Sequence, residues 1–181
     1  NNWYPERPLE WKMEEGNRRM LIRGDKLALF TGPRKEGHPF GYHGDFELML
    51  MLKLINGKGA SWVVRALDEK NYYRFDLTPD NKIAFSVCRN GQQGKECKEI
   101  QAFDVIIDRT QPDNILKVIL QVEGNRFKHL FTQSSRPSVK PTELGVGGFA
   151  DEAFKVGGVG MCAIEGAEFY LYQFTVEVKK R

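Results

Sequence analysis

The chain has 181 residues, 41% hydrophobic and 12% aromatic, and 27 Lys and Arg stand against 24 Asp and Glu for a net charge of +3. That composition excludes a disordered polypeptide, and the scattered cations form no stripe for nucleic acid. The longest apolar run, residues 48–52, is far too short for membrane insertion, and the length suits one domain over 1–181 with a two-layer core.

Alternation of period two recurs along the chain, with no helical spacing longer than a turn or two. The clearest strand covers 45–56, where Phe46, Leu48, Leu50, Leu52 and Leu54 face one way and Glu47, Met49, Met51, Lys53 and Ile55 the other. Asn56, Gly57, Lys58 and Gly59 are turn formers, so a hairpin into a second strand at 60–67 is expected. Turns at 68–71 and 79–81 lead into strands at 72–77 and 82–88, extending the hairpin to a four-stranded meander. Residues 100–107 read as a further strand. Strands at 114–123 and 126–132 flank Gly124 and Asn125, a favoured type II′ corner. Residues 133–148 hold Ser, Pro and Gly without periodicity and read as a long surface loop. A final pair covers 159–164 and 167–178, and in the second the large apolar residues change parity near Tyr172 and Gln173, as a β-bulge would cause. About ten short strands without helices predict an all-β fold, a two-sheet antiparallel jelly-roll sandwich.

Cys88 and Cys97 flank a polar loop of hairpin character that brings them within disulfide reach; free thiols in a reducing cell fit the same spacing, and both readings stay open. Cys162, between Met161 and Ala163, reads as a small buried hydrophobe. Trp62 reads as core, and Trp3 and Trp11 as pins for the N-terminal segment. Lys179, Lys180 and Arg181 read as a solvated tail or the start of a linker within a larger multidomain protein.

Asp45, Phe46, Glu47 and Leu48, then residues 59–66 and the Tyr-rich 71–77, form a pattern that resembles the concanavalin A-like and laminin G-like jelly rolls. The closest likeness is to the bacterial DUF1080-like branch, read as hydrolases of 3-keto-disaccharides. The hairpin at 121–126, Gly158, Val159, Gly160 and Met161, and residues 169–176 extend the resemblance over 45–178. It implies a concanavalin A-like sandwich serving as a sugar-binding or adhesion module, or in one branch as a glycan hydrolase, and a secreted or periplasmic location. Gly59, Ala60, Ser61 and Trp62 replace that branch's N-S-G-I turn, which ranks binding above catalysis.

Retaining glycosidases of this fold class carry two carboxylates about 5–5.5 Å apart on one strand, in an E-x-D-x-E pattern that the sequence lacks. The acidic groups Asp68 with Glu69, Asp151 with Glu152, and Glu165 with Glu168 read as solvated turn or edge residues. Metalloprotease, nucleophile-elbow and P-loop patterns are missing, and Gly145 to Gly148 read as loop. His38 and His43 lack a third ligand at fixed spacing, so neither a metal nor a cofactor is expected.

What remains is a sheet face. Glu47, Arg65, Tyr72 and Arg74 are the candidate ligand-binding residues, because guanidinium forks and phenol hydroxyls suit sugar hydroxyls or carboxylates. The competing reading is ordinary cross-strand ion pairs of Arg65 and Arg74 with Glu47 and Asp76. The expected function is a non-catalytic, lectin-like module whose partner is a carbohydrate. A glycan-active hydrolase or lyase, and a structural or protein-interaction domain with Met49 and Met51 exposed, are the alternatives.

Overall fold

The computed structural model describes residues 3–4, 10–14, 16, 18–24, 26–32, 41, 43–56, 58–90, 97–110, 114–134, 142–146, 154–164 and 166–179. Among them are fourteen strands: β1 (Trp3–Tyr4), β2 (Lys12–Glu14), β3 (Arg19–Arg23), β4 (Ala28–Phe30), β5 (Phe46–Leu54), β6 (Ala60–Ala66) and β7 (Tyr72–Leu77), then β8 (Lys82–Cys88), β9 (Cys97–Asp104), β10 (Leu116–Glu123), β11 (Arg126–Gln133), β12 (Thr142–Val146), β13 (Gly158–Cys162) and β14 (Glu168–Val178). They form two seven-stranded sheets, the first ordered β1-β4-β13-β6-β7-β8-β9 and the second β12-β11-β10-β5-β14-β3-β2. Neighbours in both run antiparallel. This is the expected all-β, two-sheet jelly-roll sandwich.

The core fills the space between the sheets. The second sheet contributes Phe46, Leu48, Leu50 and Leu52 from β5, Val118 and Leu120 from β10, Phe127 from β11 and Phe169 from β14; Trp62, Tyr73, Phe75 and Phe85 come from the first. In β5, β10 and β11 burial alternates strictly, the mark of one dry face and one wetted face. The first sheet differs. All of β6 and β13 and nearly all of β8 are buried on both faces. Its outer face carries a second apolar cluster of Leu29, Val63, Ala66, Tyr72, Cys88 and Cys162.

Several sequence expectations change here. The glycine-rich turn after β5 is not a hairpin: β5 pairs with β10 and β14, while β6 lies in the opposite sheet, between β13 and β7. Gly59, with φ 114°, sits so close to β7 that a Cβ would lie 1.8 Å from the Leu77 carbonyl oxygen, so the chain crosses between sheets at a point only glycine fits. The meander therefore runs β6-β7-β8-β9. The final pair also separates, β13 in the first sheet and β14 in the second. The expected loop at 133–148 contains β12, paired with β11, which takes in Gly145. The hairpin β10–β11 closes at Gly124 and Asn125 as expected, with Gly124 at φ 56°. The β14 register shifts between Leu171 and Gln173, where the bulge was expected. Trp11 is buried with Trp3 edge-on to it at 5.3 Å, and Trp62 is core.

Candidate ligand-binding site

Polar residues buried in a sheet must find partners, so they mark where a strand does more than pack. On the outer face of the first sheet, register aligns Ser61 with Asp76 and Val63 with Arg74 across β6 and β7. Arg74 then lies opposite Ser86, and Tyr72 opposite Cys88, on β8. Cys162 of β13 stands across from Ser61 on the other side. Ser61, Tyr72, Asp76, Ser86 and Cys162 are all buried, and Arg74 is half-buried at the centre.

The hydrogen bonds order this cluster. Ser61 Oγ–H donates to Asp76 Oδ1 at 2.6 Å, and Arg74 Nε–H donates to Asp76 Oδ2 at 2.9 Å. One carboxylate thus fixes both a hydroxyl and a guanidinium. The terminal nitrogens of Arg74 and the hydroxyl of Tyr72 make no hydrogen bond among the described residues. Burial pushes the Tyr72 phenol up to about 12, with smaller effects from its neighbours, so it stays protonated. Burial works against the Arg74 charge, but Asp76 and other neighbours outweigh it and raise its pKa. The Cys162 thiol is pushed up to about 12 by burial, which keeps it an unreactive thiol. Cys88 and Cys97 are joined as a disulfide in the row of Tyr72, resolving the question the spacing left open, and Cys162 is free and buried.

The four predicted site residues do not share one surface. Tyr72 and Arg74 do, on the first sheet. Glu47 lies on the second, where Gln121 Nε2–H donates to its Oε2 at 2.9 Å. Arg65 leaves the alternation altogether: it has φ 51°, and the β6–β13 register shifts beside it. The extra residue of that bulge turns its side chain from the outer face into the end of the sandwich. There its guanidinium donates to the carbonyls of Phe154, Gly44 and Gly124, stands 3.9 Å from Asp45 and lies 5.4 Å from the centre of the Phe127 ring. Of the ion pairs read as alternatives, Arg74 with Asp76 forms, within one strand, and Arg65 meets Asp45 in place of Glu47.

The sequence pattern named Asp76 only as an ion-pair partner and Cys162 only as a buried hydrophobe, and left Ser61 and Ser86 out of the cluster. The signal was a polar residue at the same parity inside consecutive apolar strands, as in Ala60-Ser61-Trp62 and Phe85-Ser86-Val87. Among the described residues no group of three or more His, Cys, Asp or Glu is placed to share a metal ion. His43 is buried and its imidazole pKa is lowered by burial, while His38, Asp151, Glu152, Glu165, Lys180 and Arg181 lie outside the described residues. No described helix is long and apolar enough to cross a membrane.

No protein-family profile matches the sequence, and no curated protein matches it by sequence. Solved structures match by fold. The carbohydrate-binding module CBM66 from Bacillus subtilis superposes with a TM-score of 0.64 at 18% identity, over 92% of this chain and 90% of that one. A presumed glycosyl hydrolase from Parabacteroides distasonis gives 0.63 at 15% identity, over 98% and 94%. The Ca2+- and Man3GlcNAc-bound exoplasmic/lumenal domain of VIP36 gives 0.63 at 9% identity, over 95% and 84%. All are similar to this chain as jelly-roll sandwiches.

Proposed function

We propose that this chain is a non-catalytic carbohydrate-binding module that holds its ligand on the outer face of the first sheet, at Tyr72 and Arg74. The observation that carries the reading is the half-buried guanidinium, oriented by Asp76, whose terminal N–H groups, like the neighbouring Tyr72 phenol, make no hydrogen bond among the described residues. Such groups, fixed on adjacent strand positions, are what sugar oxygens need. A carbohydrate-binding module and a lumenal sugar-bound domain among the fold neighbours support the same class of ligand. The Cys88–Cys97 disulfide suits an oxidising compartment, so we place the module outside the cytoplasm, secreted or periplasmic.

One observation favours a second reading, a hydrolase of the DUF1080-like kind. Glu99 pairs with Ser86, which pairs with Arg74, so it shares the face of Asp76 from two strands away and two residues along, a backbone separation of about 12 Å. That is wide for a retaining pair, and both Asp76 oxygens are already engaged. Binding therefore ranks first. A glycan-array screen of the wild-type chain beside Arg74→Ala, with product analysis of every glycan bound, tests both. Binding lost in the variant without product supports the module, product supports the enzyme, and binding indifferent to Arg74 rejects the site.

A further inference from the structure

The donors and acceptors of this site are unequal. A guanidinium carries five N–H donors, and Asp76 takes the one on Nε. The other four N–H groups and the Tyr72 hydroxyl have no partner among the described residues. On the acceptor side, each Asp76 oxygen already receives a hydrogen bond, from Ser61 and from Arg74. Exposure is skewed in the same direction: the Arg74 side chain is 20% accessible and that of Asp76 only 9%. A ligand approaching this face meets donors first.

A neutral sugar hydroxyl both donates and accepts, so it would leave its own proton facing donors here. An acceptor-only group fits better, and a planar carboxylate matches the terminal fork of a guanidinium in bidentate fashion. The net charge of +3 favours encounter with an anionic polymer. Glu99 and Asp104 also face this side, but both are exposed on β9, two strands from Arg74, where water and physiological salt weaken their field.

Building on the glycan-binding reading above, we infer that the ligand is an acidic glycan, a hexuronate whose carboxylate is received by the terminal nitrogens of Arg74 with the Tyr72 hydroxyl beside it. The anchor is rigid, since Asp76 holds the guanidinium from behind and is itself held by Ser61 on the neighbouring strand β6. The fork is the specificity element. Lysine at position 74 would supply charge without the paired geometry.

The experiment is calorimetric titration of the intact chain with homogalacturonan, alginate and glucuronan oligosaccharides, each beside its carboxyl-reduced, neutral counterpart, and with dextran sulfate. The expected result is binding of at least one hexuronate about tenfold or more tighter than its reduced counterpart, weakening as NaCl is raised. Arg74→Ala should lower that affinity by about tenfold or more, and Arg74→Lys should recover only part of it. Should either variant fail to fold, the comparison of acid with reduced oligosaccharide on the wild-type chain still decides the matter. Equal binding of the neutral counterparts, or preference for dextran sulfate over every hexuronate, overturns the inference while leaving a glycan-binding module. Absence of binding to any acidic or neutral glycan overturns both.

Discussion

Arg74 and Asp76, two residues apart on β7, are locked side by side on one sheet face by an Nε–H to Oδ2 hydrogen bond of 2.9 Å. Strand alternation puts residues i and i+2 on the same face, so a short acid can hold the base of a long guanidinium while its tip stays free. Asp76→Asn keeps the shape and removes the charge. The expected outcome is about a tenfold loss of glycan affinity with a fold still intact, checked by titration calorimetry and circular dichroism.

Arg65 is a clasp at the end of the sandwich, joining β6 to carbonyls from the segment before β5, the β10–β11 turn and the segment before β13. Removing it takes the guanidinium donor from those three carbonyls and the nearby positive charge from Asp45. Arg65→Ala is expected to cost about 3–5 kcal/mol, a fall in melting temperature of roughly 6–20 °C. Thermal unfolding followed by circular dichroism measures it; a shift of a degree or two would refute the clasp.

His129 is fully buried in the core, where Trp62 Nε1–H donates to its Nε2 at 3.2 Å and Phe75 and Phe131 pack against it. Burial lowers its pKa to about 3. The unfolded chain, with a pKa near 6.5, binds the proton more readily, so stability is full above that value and declines as pH falls toward 3. The decline approaches about 1.4 kcal/mol per pH unit. Urea unfolding of wild type and His129→Leu from pH 7.5 to 4.5 should show the variant's pH dependence shallower by about one proton; parallel curves would place the imidazole in contact with water.

Three cysteines give one disulfide and one hidden thiol. A thiol reagent should find no fast-reacting group in the native chain and one after denaturation without reductant. Reduction should lower stability by about 2–3 kcal/mol, the chain-entropy value for so short a loop, and weaken glycan binding because Tyr72 shares the Cys88 and Cys97 row. Three thiols titrating after denaturation without reductant would contradict the pairing.

How much of this was readable in advance follows from what alternation encodes. Leu48, Leu50 and Leu52 announce a strand with one dry face, and β10 and β11 announce themselves with a matching turn. Alternation names a face but not a partner strand, so Asn56 to Gly59 looked like a hairpin when Gly59 serves a crossing between sheets. The short N-terminal strands β1 to β4 gave too few residues for a period to appear. That Tyr72 and Arg74 share one face was legible because nothing interrupts the period of β7. Arg65 was misplaced because the bulge that turns it inward depends on β13, a strand far away in sequence. Glu47 was misplaced with the strand that carries it.

The proposed ligand lies on the outer face of the first sheet. Amide chemical-shift mapping by NMR, titrating the labelled chain with whichever oligosaccharide it binds, tests that location without any substitution. Shifts are expected to concentrate at Ser61, Tyr72, Arg74, Asp76 and Ser86. Shifts gathered instead at Glu47, Met49, Lys117 and Gln121, on the opposite sheet, would contradict it.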